Sequence, residues 1–270
     1  MSVLLQISDT HFGTEQPPVV AALLALARQQ APELVVLSGD ITQRARPAQF
    51  MAARAFTEQL AAPLLAIPGN HDIPLFDLWA RLRRPYARHC AAFGADLEPT
   101  HASDGLMVLG VNTTRPWRHK HGEVSRPQIE RVARSLAGAR PGQLRVVVVH
   151  QPVVVTHAAD APNLLRGHAA ALRHWADAGA DLVLGGHIHL PFVARLDHGL
   201  SRPMWAVQAG TALSSRLRRG MPNSVNLLRW GSSSASAGCC EIEQWDFSAA
   251  EQAFVRVRVT EVRPSRARAV

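Results

Sequence analysis

The chain has 270 residues, of which 47% are hydrophobic and 19% charged, and its formal net charge is +8. This composition is typical of a globular chain with a buried core, and it excludes collagenous, low-complexity and mainly disordered proteins. The basic residues are almost all arginines and are scattered along the chain, which indicates an ordinary solvated surface rather than a nucleic-acid partner.

Short apolar runs that end in small or polar residues recur over the first 210 residues. In chain order they are VLLQIS, ELVVLSG, PLLAIPG, LMVLGVN, RVVVVH, DLVLGG and MWAVQAG. Continuous apolarity is typical of strands that are buried on both faces. Helical patterns lie between several of these runs, namely PPVVAALLALARQQAPE, PAQFMAARAFTEQLAA, RPQIERVARSLAG and HAAALRHWADAGA. The alternation predicts α/β layers.

The pattern changes after residue 200, where three further runs read as strands without helices between them. These runs are SVNLLRW, CCEIEQWDF and QAFVRVRVT, and a GSSSASAG turn joins the first two. We therefore predict added antiparallel strands over 203–260 and a flexible tail over 261–270, with one domain spanning 1–260. The mixed aromatic and basic segment that begins at Ile73 predicts a substrate-facing insertion over 73–121.

The N-terminal apolar run is too short for a signal-peptide core, and no stretch of eighteen apolar residues could span a membrane. Cys90, Cys239 and Cys240 are too few for a disulfide framework, and two of them are adjacent. Reduced thiols are the expected state of such cysteines. We expect a cytoplasmic protein without a membrane span.

Metal-binding side chains follow the predicted strands, at the ends where ligands bind in open α/β sheets. The side chains in these positions are Asp9, His11, Asp40, Asn70, His71, Asp72, His150, His187 and His189. Carboxylate, amide and imidazole donors suit a borderline divalent cation. In LSGD and PGNHD a glycine precedes the polar residues and permits a sharp turn at the strand end. The sequence predicts a metal centre at this edge of the sheets.

The motifs DTH, GD, GNHD, a single histidine after an apolar strand, and GHIH occur in that order. Over roughly residues 3–192 this set resembles the calcineurin-like metallophosphoesterases. The resemblance implies their fold, a four-layer α/β/β/α sandwich of two mixed sheets flanked by helices. It also implies two divalent metal ions drawn from Mn, Fe and Zn.

The resemblance further implies a role for each motif residue. One metal would be held by Asp9, His11, Asp40 and His189. The other would be held by Asp40, Asn70, His150 and His187, so that Asp40 bridges the two ions. Asn70 would also reach the substrate phosphate. His71 would stabilise or protonate the leaving oxygen, oriented by Asp72.

The implied activity is hydrolysis of small anionic phosphodiesters by attack of a metal-bridging hydroxide. The sequence looks most similar to bacterial class III cyclic-nucleotide phosphodiesterases, which makes 3',5'-cyclic nucleotides one candidate substrate. Another phosphodiester or a pyrophosphate, such as a glycerophosphodiester or a nucleotide-linked lipid precursor, is an alternative. Apolar residues of the insertion such as Phe76 and Trp79 make the lipid precursor possible. A nuclease is disfavoured by the chain length, a non-catalytic metal-bearing scaffold by the intact ligand set, and a homo-oligomer is compatible with the sequence.

Five other positions are candidates for contact with substrate, although none of them follows a predicted strand as the motif residues do. His119 and His121 are candidates for the substrate mouth. The stretch GTALSSRLRRGMPNSVN contains Arg216, Arg218 and Asn223. An arginine there would meet a phosphate, or the stretch would form a solvated loop.

Overall fold

Helices lie between most of the successive strands up to residue 185 in the computed structural model, which describes residues 1–231 and 238–265. The strands are β1 Ser2–Ile7, β2 Leu34–Ser38, β3 Leu64–Ile67, β4 Thr100–Ala102, β5 Leu106–Gly110, β6 Leu144–Val148, β7 Leu182–Gly185, β8 Phe192–Leu196, β9 Met204–Gln208, β10 Ser224–Trp230, β11 Cys240–Ser248 and β12 Ala253–Val262. The helices are α1 Pro17–Gln30, α2 Pro47–Thr57, α3 Leu78–Arg83, α4 Ala87–Phe93, α5 Arg126–Ala137 and α6 His168–Asp177. Short 3₁₀ turns cover Glu58–Leu60, Asn70–Asp72 and Ala158–Asn163.

The strands form two six-stranded mixed sheets. The first has the order β12-β11-β10-β1-β2-β3, with β1, β2 and β3 parallel and the three C-terminal strands antiparallel. The second has the order β4-β5-β6-β7-β9-β8. Its four inner strands, β5, β6, β7 and β9, are parallel, and the edge strands β4 and β8 are antiparallel to their neighbours. The parallel strands of each sheet end at one edge, where functional side chains collect.

The core forms three apolar layers that hold the sheets and helices together. Leu4 and Val146 lie between the two sheets, in a cluster to which both sheets contribute side chains. Leu5 points to the other face of the first sheet and packs in a cluster with Leu23 of α1. Trp175 of α6 is fully buried in the third cluster, on the outer face of the second sheet. The predicted α/β/β/α sandwich is confirmed, and burial of both strand faces explains the continuous apolar runs.

The structure differs from the sequence-based boundaries in two places. The interval 73–121 is not one insertion, because β4 and β5 within it are strands of the second sheet. The apolar run of β5 pairs in parallel with β6, so that only the residues before and after these strands lie outside the sheets. β12 continues to Val262, two residues into the predicted tail. Residues 266–270 of that tail and 232–237 of the predicted turn lie outside the described residues.

Within residues 1–231 and 238–265, no helix is both long enough and apolar enough to cross a bilayer. The three cysteines are free thiols.

His89 of α4 is a buried histidine in an apolar setting. Its ring lies 6.3 Å from that of Phe50 and 5.4 Å from that of Phe93. Among the described residues, neither ring nitrogen has a hydrogen-bond partner. Burial lowers the pKa of His89 to about 4, so the imidazole stays neutral in the folded protein while the unfolded chain takes up a proton near pH 6.5.

We expect His89 to destabilise the fold as the pH falls. The pKa of His89 is lower in the folded protein than in the unfolded chain. Its contribution to the unfolding free energy is therefore fully present above about pH 6.5 and is lost as the pH falls towards 4. Between pH 7 and pH 5 the loss amounts to about 2 kcal/mol of unfolding free energy. Denaturant unfolding of the wild type and of His89→Leu at both pH values measures the difference. The exposed His174, replaced in the same way, is the control, and equal pH dependence in all three proteins contradicts the prediction.

Candidate metal centre

The two sheets bring their strand ends together around one cluster of imidazole and carboxylate groups. Three sets of side chains have donor atoms within 4.8 Å of one another. The sets are Asp9, His11 and His189; Asp40, His150 and His187; and His11, Asp40 and His71. The first two sets each combine residues that follow strands of the first sheet with residues that follow strands of the second.

The set formed by Asp9, His11 and His189 is closely spaced and almost completely buried. The Asp9 Oδ1 lies 3.2 Å from the Nε2 of His189. The two Nε2 atoms of His11 and His189 lie 3.1 Å apart. Asp9 is held by its neighbours, since Ser8 donates from its hydroxyl at 2.7 Å and the His187 backbone N–H donates at 3.0 Å.

Asp40 joins the other two sets because its two carboxylate oxygens face different histidines. Its Oδ1 lies 3.2 Å from the Nε2 of His150. Its Oδ2 lies 3.9 Å from the Nε2 of His11. The backbone N–H of His71 also donates to Oδ1 at 2.8 Å. Asp40 is therefore shared by two of the three donor sets.

Asn70 lies in the same 3₁₀ turn as His71, beside Asp40. Its Oδ1 is buried and has no hydrogen-bond partner among the described residues. An amide oxygen left without a donor in a buried position is costly unless a cation or a ligand binds it.

The backbone at the site is left-handed at five non-glycine residues. Among the described residues, ten non-glycine residues have positive φ, and half of them belong to the cluster. They are Asp9 at 51°, His11 at 44°, Asp40 at 48°, His187 at 73° and His189 at 54°. Left-handed backbone is strained for residues other than glycine, and strain of this kind collects at functional sites.

Two glycines beside the cluster are required by close contact. Gly39 has φ +94°, and a Cβ there would lie 2.5 Å from the Nδ1 of His150. Gly69 has an ordinary extended backbone and leads into the 3₁₀ turn Asn70–Asp72, so this turn does not require a left-handed glycine. A Cβ on Gly69 would instead lie 2.0 Å from the Asp40 backbone nitrogen. The ends of β2 and β3 approach closely only because both residues lack side chains.

Backbone carbonyls orient two of the imidazoles. The Nδ1 of His150 donates to the Ser38 carbonyl at 2.8 Å. The Nδ1 of His189 donates to the Arg216 carbonyl at 2.8 Å. Each bond fixes the tautomer and leaves Nε2 free to face the carboxylates, as outer partners of metal-binding histidines do. The sequence offered no signal for these acceptors, because any residue supplies a backbone carbonyl.

The charges in the cluster favour a bound cation. Burial opposes ionisation of Asp9 and Asp40, yet nearby His189 lowers the pKa of Asp9 to about 2 and nearby His150 holds that of Asp40 well below its usual value. Burial alone would lower the pKa of His150, but Asp40 raises it to about 9. Without a cation, the carboxylates are thus neutralised by protons on imidazoles, which a bound metal would displace.

The remaining two histidines are suited to bind metal directly. Burial lowers the pKa values of His11 and His187 to about 3, so both rings are neutral at ordinary pH. The Nδ1 of His187 is buried and has no hydrogen-bond partner among the described residues. Imidazole, carboxylate and amide donors fit Mn, Fe or Zn, and the residues present fit a pair of such ions.

His71 and Asp72 differ from the predicted arrangement. The Nδ1 of His71 lies 2.9 Å from the backbone carbonyl of Gln43, which orients the ring. The Asp72 carboxylate instead accepts from the backbone N–H groups of Ile41, Thr42 and Gly69 at 2.8 to 3.0 Å. Within the described residues no hydrogen bond joins the Asp72 carboxylate to the His71 ring, and the ring is oriented by the Gln43 carbonyl. Asp72 ties the β3 turn to the β2 turn, because its side chain points into the loop after β2.

A small cavity of about 40 Å³ opens beside the cluster. Asn70 and His71 line it together with Arg44, Leu75 and His119. His121, the other candidate for the mouth, lies with its Nδ1 3.0 Å from the Pro162 carbonyl and does not line this cavity. A phosphate entering here meets the Asn70 amide and the His71 ring.

The arginines of the stretch after β9 bind protein groups next to the metal centre. The Arg216 guanidinium donates to the Gln43 side chain at 2.8 Å. Arg218 donates to the carbonyl of Ile188 at 2.8 Å and pairs with the buried Asp160. Asn223 donates to the Ser214 carbonyl at 2.9 Å. These contacts hold the side chains of Arg216, Arg218 and Asn223 against protein groups, and contact of an arginine of this stretch with a phosphate stays a prediction.

We expect Arg218→Ala to weaken metal binding. The substitution frees the carbonyl of Ile188, which lies between His187 and His189, and leaves Asp160 buried without its cation. Loss of an outer partner of a metal ligand typically lowers affinity by about ten- to a hundredfold. Equilibrium dialysis against Mn²⁺ measures the change, with the exposed Arg195 replaced by alanine as the control. Equal affinity in both variants contradicts the prediction.

Comparison with known proteins gives a consistent family. The family described as calcineurin-like phosphoesterase matches residues 2–191. The cAMP/cGMP dual specificity phosphodiesterase of Mycobacterium tuberculosis (strain CDC 1551 / Oshkosh) is 29% identical over 202 residues, covering 69% of this chain and 61% of that protein. The chain thus matches about three fifths of the length of that relative.

Two further similarities bear on substrate and fold. The glycerophosphodiester phosphodiesterase of Enterobacter lignolyticus (strain SCF1) is 39% identical over 83 residues, which cover 26% of this chain and 29% of that protein. A purple acid phosphatase from yellow lupin (Lupinus luteus) seeds has a similar fold, with a TM-score of 0.73 and 10% identity, covering 97% of this chain and 53% of that one. At this identity the likeness concerns the fold alone.

Proposed function

The chain belongs to the calcineurin-like phosphoesterase family, and on that premise we propose that it is a two-metal phosphodiesterase acting on small anionic phosphodiesters. The observation that carries the proposal is Asp40, whose two oxygens face His150 at 3.2 Å and His11 at 3.9 Å. A carboxylate placed between two sets of imidazole, carboxylate and amide donors is what a pair of adjacent cations requires.

The proposed ligands combine the donor sets described above with the unpartnered amide oxygen of Asn70. One ion is held by Asp9, His11, Asp40 and His189, and the other by Asp40, Asn70, His150 and His187. When bound, such a pair lowers the pKa of a shared water and neutralises charge on the phosphoryl oxygens. Mn, Fe and Zn all suit this donor set.

The side chains at the cavity perform the remaining steps. Asn70 donates from its amide to a phosphoryl oxygen and positions the diester. The Nδ1–H of His71 donates a hydrogen bond to the Gln43 carbonyl and stays on the ring. When the ring is protonated, its second proton is on Nε2, from which it can pass to the leaving oxygen. Arg44 and His119 lie at the mouth of the cavity, and the Arg44 charge favours entry of an anion. In this scheme Asp72 acts through the turn that it holds.

Cyclic nucleotides are the substrate class that we place first. The relative from Mycobacterium tuberculosis is named for cAMP and cGMP, and its similarity extends over 69% of this chain. A glycerophosphodiester is the second candidate, favoured by the shorter match to the enzyme from Enterobacter lignolyticus at 39% identity. The free thiols of Cys90, Cys239 and Cys240 support our proposal that the protein works in the reducing cytoplasm.

The test is turnover after removal and return of metal. The protein is stripped with chelator, dialysed, and assayed with and without Mn²⁺ on cAMP, cGMP, a glycerophosphodiester, an aryl diester and single-stranded DNA. We expect no turnover in the stripped protein and recovery with Mn²⁺ on the small diesters. Activity indifferent to chelator contradicts the two-metal proposal. Preferential cleavage of DNA, falling steeply with salt, identifies a nuclease instead.

A further inference from the structure

Helix α3 exposes an apolar face that none of the other described residues covers. None of its six residues is buried. Leu78, Trp79 and Leu82 are 66%, 61% and 78% exposed and lie at spacings that place them on one face of the helix. Phe76, just before the helix, is 80% exposed. Large apolar side chains grouped in this way mark an interaction surface rather than the usual scatter of single exposed residues.

A second exposed tryptophan lies on the segment next to α3. Trp117 is 74% exposed. Arg81 of α3 donates to the carbonyl of the neighbouring Arg118 at 3.2 Å, which ties the two segments together. We call Phe76, Leu78, Trp79, Leu82 and Trp117 the apolar patch.

Guanidinium groups lie against the rings of the apolar patch. The Arg84 guanidinium carbon lies 5.2 Å from the Trp79 ring centroid. That of Arg44 lies 5.6 Å from the Phe76 ring centroid. Both arginines are exposed, and within the described residues neither they nor the exposed Arg83 has a carboxylate partner. Cations thus surround the aromatic side chains with their charge open to a partner.

The charge of the surrounding segments is strongly positive. Residues 74–90 and 115–121 carry one acidic side chain, Asp77, against seven basic ones. The basic residues are Arg81, Arg83, Arg84, Arg88, Arg115, Arg118 and Lys120. Asp77 is paired with Arg88 at 2.9 Å, and Glu123, just outside these segments, is paired with Arg118 at 2.8 Å. Five of the seven basic side chains therefore have no ion pair among the described residues. A second copy of the chain docked face to face would bring these like charges together, so the patch favours an anionic partner over self-association.

We propose that the apolar patch docks the protein on the surface of an anionic lipid bilayer. Tryptophan and leucine side chains enter the boundary between headgroups and acyl chains, and arginines around them remain at the level of the phosphates. Each arginine near such a surface strengthens binding roughly fivefold. The docking itself does not depend on the phosphodiesterase activity proposed above.

Docking in this orientation places the catalytic mouth near the lipid headgroups. Arg44, which lies over Phe76, also lines the cavity beside Asn70 and His71. Leu75, next to Phe76 in the chain, lines the same cavity. The entrance to the metal centre and the apolar patch are therefore adjacent surfaces.

Co-sedimentation of the full chain with vesicles tests the proposal. Vesicles of phosphatidylcholine alone are compared with vesicles of phosphatidylcholine and phosphatidylglycerol in equal parts. We expect binding to the anionic vesicles that weakens as salt is raised, and little binding to phosphatidylcholine. Trp79→Ser with Leu82→Ser should lower the partition coefficient at least about tenfold. The matched control is Val257→Ser with Val259→Ser, two exposed strand residues at 51% and 46% exposure, which should bind as the wild type does.

Charge reversal gives an independent arm. Arg83→Glu with Arg84→Glu should lower binding to anionic vesicles about tenfold or more. Arg28→Glu with Arg258→Glu changes the net charge equally on α1 and β12 and should have a much smaller effect. Equal losses in both double variants, or no binding by the wild type, overturn the proposal. It is also overturned if light scattering without lipid shows that the wild type self-associates and the Trp79 and Leu82 variant does not.

Folding of the variants is checked by an activity that needs no membrane. The patch residues are exposed, so Mn²⁺-dependent turnover of a water-soluble aryl diester should be unchanged in the vesicle-binding variants. If the wild type shows no such turnover, the unfolding midpoint serves as the check instead. Failure of the phosphodiesterase proposal and failure of the docking proposal are thereby distinguished.

Discussion

Replacing Asp40 by alanine is expected to abolish metal-dependent turnover, with a loss of at least about a thousandfold, or about 4 kcal/mol in the barrier. The carboxylate faces His150 with one oxygen and His11 with the other, so its removal takes a ligand from both proposed ions. It also removes the acceptor of the His71 backbone N–H. Metal content, measured by elemental analysis, should fall from two ions per chain to one or fewer.

A conservative variant separates charge from geometry at this position. Asparagine tolerates the left-handed φ of 48° at residue 40 better than alanine does, and it keeps one oxygen donor. Asp40→Asn should therefore fold as well as the wild type while still losing most of its turnover. Asp104→Ala, at a fully exposed carboxylate paired with Arg140 on the surface, is the control. Turnover retained by Asp40→Ala would show that Asp40 does not bridge the ions.

The second large effect is expected for His71→Ala, and it should depend on the leaving group. His71 contributes a proton rather than a bond to metal in the proposed scheme, so metal content should stay at two ions per chain. Removing a general acid slows reactions that need it by about a hundred- to ten-thousandfold. A cyclic nucleotide or a glycerophosphodiester, with an alkoxide leaving group, should show this loss. A nitrophenyl diester, whose leaving group needs no proton, should lose much less.

His119→Ala is the matched control for this comparison, since His119 lines the same cavity from the opposite segment. It should change the apparent affinity for substrate more than the maximal rate, and by a similar factor for both kinds of ester. Equal losses on both esters in His71→Ala would remove the leaving-group role. Loss of an ion from that variant would instead place His71 among the ligands, beside Asp40 and His11 with which it forms a set.

Much of the site is predictable from sequence because its residues follow local rules. A continuous apolar run marks a strand buried on both faces, and a donor at its carboxyl end must lie at the ligand-binding edge. Asp9, Asp40 and His150 are placed by this argument alone. The two-sheet arrangement that brings His187 and His189 against Asp9 and Asp40 is not local, and it came from the resemblance of the motifs to a known family.

The errors share a physical cause, which is that hydrogen-bond partners distant in sequence leave no pattern. The family resemblance implied that Asp72 orients the His71 ring, but its acceptor oxygens are taken by N–H groups of the loop after β2. Arg218 is bound to Ile188 and Asp160, 30 and 58 residues away. The edge strands β4 and β8 were missed because they are short and only partly buried, so they lack the apolar run that marked the others.

Because the five cluster residues have left-handed backbone, the shape of the proposed metal site depends on the stability of the whole fold. Each such residue costs roughly 1 kcal/mol or more, so together they oppose folding by several kcal/mol. That sum is comparable with the whole net stability of a typical domain, about 5–15 kcal/mol. The turns keep their shape only while the packed sheets beneath them hold a margin above this strain. A cavity made by replacing Trp175 of α6 with a small residue would reduce this margin. We therefore expect the turns to relax, and the proposed activity to be lost, before the chain unfolds.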